Sequence, residues 1–504
     1  MTATTLPAAL REAAATYADK PYLVEDGRSL TFAETHAQVR DVAKGYLASG
    51  FAPGERIVVW APNSIAWVLA GLAVSYAGGT LVPVNSRYTG HEVADIVDRT
   101  GATIVVVDDG FLGRSQIAEL QSASSLASVR SIVTIAELEA LVHAGAAVAE
   151  ADIEARAGAV GPDDVADILF TSGTTGRAKG AMSAHRQTIA VSAAWAGIGG
   201  VTEADQYLVV NPFFHSFGYK IGIVVGLLTG CTLHPVATFD LDATMATIER
   251  EQITVLPGAP TIFTSLLDAP SRASYDLSSL RLSITGAAVV PVVLIERMRA
   301  PSPAGLGIDN VYTAFGMTEA VVVTMCREGD ADELVATTNG RAIPGVETRI
   351  GEGGELLVRG DIVMLGYLDD AAATAEAIDP EGWLHTGDIG ELDEAGNLKI
   401  TDRLKDMYIS GGFNVYPAEI EQALARHDAI ADVAVIGVPD ERMGEVGRAF
   451  VVLRSGAELD GDAVMAFARE RLANYKAPRL VKFLDVLPRN ASGKVLKNDL
   501  RGAT

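Results

Sequence analysis

Between residue 50 and residue 330, short apolar runs alternate with longer stretches whose apolar positions recur at helical spacing. Strands are predicted at 57–60, 81–84 and 103–107, with a helix from Ser64 to Tyr76 stopped by Gly78-Gly79 and another after Gly90. Upstream, the runs 22–25 and 29–31 flank Asp26-Gly27, a hairpin signal, and Thr31 with Glu34 makes a capping box for a helix that Gly50 ends. The Ala-rich, acidic stretch 140–160 reads as helix plus an exposed connection, after which strands are predicted at 207–210, 232–235, 254–256, 282–285 and 310–313. Such alternation implies mostly parallel sheets covered by helices, with ligands bound beyond the carboxyl ends of the strands.

Beyond Gly340 the period shortens to alternating strands with glycine turns at 348–350, 355–358 and 398–400, a small β subdomain. A short charged segment, Asp402-Arg403-Leu404-Lys405-Asp406, precedes a compact α+β module with helices at 417–426 and 462–473 and strands at 433–438, 448–453 and 481–484. The expected fold class is therefore α/β: a large N-terminal domain over 1–401, a connection at 402–406 and a small α+β C-terminal domain over 407–504.

Composition narrows the function. A net charge of −24 repels nucleic acid and anionic membranes, so an anionic ligand has to be held by local N–H groups and a few selected cations. The longest apolar runs fall short of the roughly 18 residues a membrane span needs, and no basic residue precedes Arg11, which argues against a signal peptide. Two cysteines, Cys231 and Cys326, make no disulfide framework and fit a reducing cytoplasm. The eight histidines show no zinc-ligand spacing.

The densest chemistry is the run Thr171-Ser172-Gly173-Thr174-Thr175-Gly176-Arg177-Ala178-Lys179-Gly180, which follows the apolar Ile168, Leu169 and Phe170. Glycines let several N–H groups converge on one spot, hydroxyls add donors and a lysine adds charge, which together make a cradle for phosphate oxygens. A plain polar hairpin would need neither the lysine nor so many hydroxyls. The spacing is not the Walker pattern, because Ala178 precedes the lysine and Gly180 follows it. Thr318-Glu319, after the predicted strand at 310–313, offers a hydroxyl and a carboxylate suited to a hydrated Mg²⁺; on its own this pair would read as a surface helix start. Asp388, after Gly387, can accept two hydrogen bonds from a ribose diol, with Arg403 in support. The run from Asn211 to Lys220, which contains Phe213, Phe214, His215 and Tyr219, suits an apolar pocket with a few polar groups; Trp195, Met317 and Val321 are further wall candidates.

These motifs together resemble the adenylate-forming superfamily of acyl-CoA synthetases, luciferases and peptide-synthetase adenylation domains, over nearly the whole chain. The resemblance implies ATP, Mg²⁺ and coenzyme A as co-substrates and cofactor, a small-molecule carboxylic acid as substrate, and a C-terminal domain that swings about Lys405. It admits a homodimer. It assigns Thr318 to the α-phosphate, Glu319 to the metal, and Phe315 to the adenine, with Gly286, Ala287 and Ala288 as the opposite wall and Thr313, Ala314 and Gly316 alongside. Lys494, in Pro488-Arg489-Asn490-Ala491-Ser492-Gly493-Lys494, would bridge the acid's carboxylate and the α-phosphate, and His215 joins Lys494, Thr318 and Glu319 as a catalytic candidate. The Gly411-Gly412 loop would admit the pantetheine thiol. Within the superfamily, the stretches 167–170, 184–187, 211–220 and 403–409 are most similar to the acyl-CoA ligases of actinobacterial steroid-ring breakdown, which activate an indanedione-propanoate, and Lys220 could then meet a ring ketone. The alternatives are a ligase with a non-CoA acceptor and a non-catalytic nucleotide-binding protein. Lys494 speaks against the second, since binding ATP does not require it.

Overall fold

The computed structural model describes residues 2–124, 126–171, 178–286, 292–403, 408–415, 417–488, 495 and 497–502. The predicted site residues Ser172, Gly173, Thr174, Thr175, Gly176, Ala287, Ala288, Lys405 and Lys494 lie outside the described residues, and of Gly286 and Arg403 the backbone alone is described.

The turn chemistry read from sequence is realised locally. Pro21–Glu25 and Arg28–Thr31 pair antiparallel, with Asp26 at φ 48° and Gly27 at φ 80°, the left-handed pair that a two-residue hairpin of this type demands. Thr31 and Glu34 close the capping box that starts helix Phe32–Ala48. Helix Ile65–Tyr76 buries every residue but Ala66, which is why its sequence is apolar on all sides.

Two sheets carry the large lobe. One has the order Gly366–Tyr367, Lys179–Ala184, Val165–Thr171, Thr80–Pro83, Arg56–Trp60, Ile104–Val107, Ser131–Thr134; the last five strands of that order are parallel. Lys179–Ala184 runs antiparallel to Val165–Thr171 and places Lys179 opposite Thr171, so the glycine-rich run is the connection of a hairpin at a strand's carboxyl end. The other sheet joins Pro21–Glu25, Thr232–Pro235 and Gln206–Val209 in parallel, then through a bridge at Val255 reaches Leu282–Gly286 and Asn310–Met317. Of the strand predicted at 254–256, Val255 alone bridges its neighbours, because Pro257 follows and has no N–H for a ladder. Asn310–Met317 runs four residues past its predicted end and turns at Thr318-Glu319 into Ala320–Met325.

The β subdomain is the antiparallel sheet Val346–Ile350, Glu355–Gly360, Leu384–Leu392, Leu398–Arg403, and it includes Asp402 and Arg403 from the predicted connection. From Tyr408 onward the chain builds a sheet of its own from Tyr408–Ser410, Phe413–Val415, Ile430–Asp440, Gly444–Leu453 and Leu480–Phe483. Helices Pro417–Leu424 and Gly461–Arg471 cover one face of it, over a core of Tyr408, Ile420, Leu424, Val464 and Leu472. The hairpin at 408–415 had read as a loop, because three-residue strands leave no periodicity to detect. No helix among the described residues is long and apolar enough to cross a membrane.

Candidate active site

The hairpin tip at Thr318-Glu319 is turned inward. Glu319 is 8 % exposed, and its Oε1 accepts a 2.8 Å hydrogen bond from the phenol of Tyr367. The same ring lies under the ammonium of Lys179, 4.8 Å from its centre. The phosphate-run lysine and the predicted metal carboxylate, far apart in sequence, thus share one aromatic residue between them. Burial raises the Glu319 pKa, and the Tyr367 bond and the nearby Lys179 oppose that rise. A desolvated carboxylate of this kind fits a dication, whose charge would offset the cost of burial. Among the described residues there is no group of three or more acidic, His or Cys side chains that could hold a metal unaided. Tyr367 carried no signal in the sequence, where it is one aromatic after a glycine.

Along Asn310–Met317, Ala314 and Phe315 are half-buried, open enough to meet a ligand. Gly316 has the carbonyl of Val321 2.0 Å from where a Cβ would stand, so no side chain fits there. Thr313 departs from expectation: its hydroxyl is buried, and its one proton is engaged by the carbonyls of Val335 and Thr338, 2.7 and 2.8 Å away, rather than turned to a nucleotide. Asp388, also buried, stands directly across from Arg403 in the sheet, so the strand register brings together the two residues assigned to the ribose.

The aromatic run divides between core and cleft. Asn63 pins it, accepting from Phe213 N at 2.7 Å and donating to the carbonyls of Val209 and Asn211 at 3.2 and 2.9 Å. Phe213 and Tyr219 pack on Trp67, Trp195 stacks on Tyr207 6.0 Å away, and all three predicted wall residues are at most 1 % exposed. Lys220 is equally buried and forms a 3.0 Å ion pair with Asp167, which also accepts from Thr188. These four residues are therefore packed into the core and line no open pocket. Phe214 and Met317 are half-buried, Val321 is nearly covered and His215 is exposed, so of the predicted pocket residues Phe214, His215 and Met317 keep access to a ligand. His215 Nδ1 accepts from Phe217 N at 3.2 Å. The ring thus carries its proton on Nε2.

A cleft of about 780 Å³ separates the lobes. Gly411 and Gly412, at φ 58° and 83°, turn the hairpin that reaches into it, and a Cβ on Gly412 would lie 3.9 Å from Ala259 of the large lobe. Arg87, His91 and Arg114 line the cleft from the large lobe, and Arg469 and Arg479 from the small one, against Glu119 and Glu470. Arg114 is held in an ion pair by Glu119, and Arg87, Arg469 and Arg479 add positive charge to the cleft of a chain of net charge −24. They come from four separate segments, so no stretch of sequence displayed them as a basic patch. A shallower hollow of about 510 Å³ beside Gln121 and Ile132 has one cationic side chain, Arg130, and that is bound to Glu55 at hydrogen-bond distance.

An inward-turned carboxylate beside the lysine that ends the glycine-rich run suits an enzyme that handles a nucleotide's phosphates. The chain belongs to the AMP-binding enzyme family: the family's main domain matches residues 10–368, and the AMP-binding enzyme C-terminal domain matches residues 419–494. It is an ATP-dependent, AMP-forming acyl-CoA synthetase. It is 56 % identical, over 99 % of this chain and 98 % of the relative, to the 3-[(3aS,4S,7aS)-7a-methyl-1,5-dioxo-octahydro-1H-inden-4-yl]propanoyl:CoA ligase of Rhodococcus jostii. Among solved structures it superposes on an o-succinylbenzoate CoA synthetase double mutant from Bacillus subtilis, bound to its product analogue OSB-NCoA, with TM-score 0.87 at 28 % identity, covering 98 % of both chains. With ATP-bound MatB from Rhodopseudomonas palustris the TM-score is 0.71 at 30 % identity, covering 99 % of this chain and 98 % of that one.

Proposed function

We propose that this synthetase activates an acid bearing a bulky alicyclic, steroid-derived ring system of the indanedione-propanoate class, and that the lobe orientation described above is the one in which CoA takes up the acyl group. The observation that carries the substrate reading is the end-to-end 56 % identity with a ligase named for that acid. The orientation reading is supported by the closer superposition on the structure holding a CoA product analogue than on the one holding ATP, at similar identity and coverage, and by the seating of Gly412 against Ala259.

In the first half-reaction the acid's carboxylate attacks the α-phosphate of ATP and pyrophosphate leaves. Two anions must meet, so preorganised positive charge is what lowers the barrier. Lys179 supplies it at the departing phosphates, Thr318 donates to the α-phosphate, and Lys494, by its motif, bridges the two reacting groups. Glu319, held by Tyr367, would bind Mg²⁺, which when present neutralises phosphate charge. Phe315 stacks on the adenine, and Asp388 with Arg403 holds the ribose. His215, with Nδ1 occupied by Phe217 N, offers Nε2–H to the acid. In the second half-reaction the small lobe has turned about the 402–406 segment, at Lys405. The Gly411-Gly412 turn then borders the path of the pantetheine, the arginines of the cleft hold the phosphates of CoA, and its thiolate displaces AMP from the acyl-adenylate.

The test is ATP–pyrophosphate exchange over aliphatic, aryl and steroid-fragment acids, followed by mass analysis of the products with CoA present. A bicyclic propanoate should give the fastest exchange and a CoA thioester. Preference for a fatty or aryl acid overturns the substrate, and exchange without thioester moves the acceptor away from CoA.

A further inference from the structure

One buried cation lies between the lobes and outside the cleft. Lys476, 2 % exposed, sets its ammonium 2.7 Å from Glu419 of its own lobe and 3.1 Å from Glu92 of the large lobe, with the ring of Tyr88 4.1 Å away. Glu92 divides its oxygens between two tasks. Its Oε2 accepts from the N–H and hydroxyl of Thr89 at 2.8 and 3.1 Å, which caps helix Gly90–Thr100, while Oε1 accepts from Lys476. Two more contacts cross beside it: Asn85 Nδ2 donates to the Tyr475 hydroxyl at 2.7 Å, and the Arg471 carbonyl lies 3.2 Å from the Thr89 hydroxyl, sharing its one proton with Glu92.

The two carboxylates differ in what a lobe rotation does to them. Glu419 is built into the small lobe and travels with Lys476 however that lobe turns. Glu92 stays behind on the large lobe, so its contact exists in one orientation. A charge contact this deeply buried is screened far less than a surface pair. Burial alone would lower the Lys476 pKa, but Glu419, Tyr88 and Glu92 outweigh it and hold the lysine well above its ordinary value.

We propose that Lys476 is a positioning residue for thioester formation: clamped between Glu419 and Glu92, it latches the small lobe in the CoA-accepting orientation and so favours the second half-reaction over the first. The latch rests on the reading that this orientation is the thioester-forming one. Neither Lys476 nor Glu92 lines the cleft, so the effect runs through the lobe equilibrium and not through contact with a substrate.

The experiment separates the half-reactions in the full-length enzyme. Pyrophosphate exchange reports the first, and CoA-dependent thioester formation from preformed acyl-adenylate, in single turnover, reports the second. Glu92→Gln keeps the helix cap, since glutamine serves in a capping box, and removes the charge. It should leave exchange unchanged or a few-fold faster and slow thioester formation about tenfold, the size of an ordinary coupling between distant elements. Lys476→Gln should do the same, the double variant should be no worse than either single one, and Lys476→Arg should recover most of the rate. The latch is overturned if both half-reactions fall together, if thioester formation is untouched, or if the two variants add. Arg87→Ala and Arg479→Ala serve as the control on orientation. If they also spare thioester formation, the reading of the orientation fails; if they impair it while Glu92→Gln does not, the latch alone fails.

Discussion

The phenol of Tyr367 donates to Glu319 at 2.8 Å, from a two-residue strand paired with the one that begins at Lys179. The bond favours the ionised carboxylate in a site where burial works against it. Tyr367→Phe should therefore raise the Glu319 pKa and move the acid limb of the pyrophosphate-exchange profile to higher pH, with about a three- to tenfold loss at neutral pH. Glu319→Gln should cost roughly a hundredfold or more, with the Mg²⁺ dependence weakened. An unmoved acid limb in Tyr367→Phe would separate Tyr367 from the carboxylate's chemistry.

Lys220 and Asp167 are at most 1 % exposed and 3.0 Å apart, so removing one partner strands a buried charge. Lys220→Met should destabilise the protein by about 3–5 kcal/mol, and Lys220→Met with Asp167→Asn should recover most of that. Denaturant midpoints measure both. The order of preference among acids should not change in the double variant; a changed order would return Lys220 to the substrate.

The arginines of the cleft act on the acceptor. Arg87→Ala and Arg479→Ala should each raise the KM for CoA about tenfold, weaken its salt dependence and leave pyrophosphate exchange as it is. Steady-state kinetics at two ionic strengths decides it, and an equal loss in exchange would refute the division of labour.

His185 and His234 are buried, and desolvation pushes each down to about 4 from an ordinary 6.5. His185 Nδ1 accepts from Leu6 N at 3.3 Å, a bond that protonation would break. Rings with depressed folded pKa values take up protons first in the unfolded chain. Their stabilisation is complete above 6.5 and is lost as pH falls towards 4, by up to about 3 kcal/mol each. Calorimetric Tm values between pH 7 and 4 should show this fall, and His234→Gln should flatten it.

Features that depend on near neighbours were legible in the sequence. Asp26-Gly27, the Thr31 cap and the glycine-rich run each state their geometry within a few residues, because φ preferences and capping bonds act at that range. The α/β alternation was legible for the same reason, as periodicity is local. The family resemblance nominated Glu319 and Asp388 for the candidate site before any fold was known. The three-residue strands at 408–415 escaped because such short pairings leave no period to read, whereas the strand read at 254–256 shrank to a single bridge at Val255.

What the tertiary structure alone decided is which side chains meet. Thr313 lost its role because two carbonyls from a later helix end claim its hydroxyl, and Lys220 lost the ring ketone because Asp167 lies within reach from another strand. Tyr367 gained a place between Lys179 and Glu319, and the arginines of four segments became one cleft. Hydrogen bonds and charge contacts act over a few ångströms of space regardless of separation along the chain, so the sequence could name the chemical groups while the fold alone could pair them.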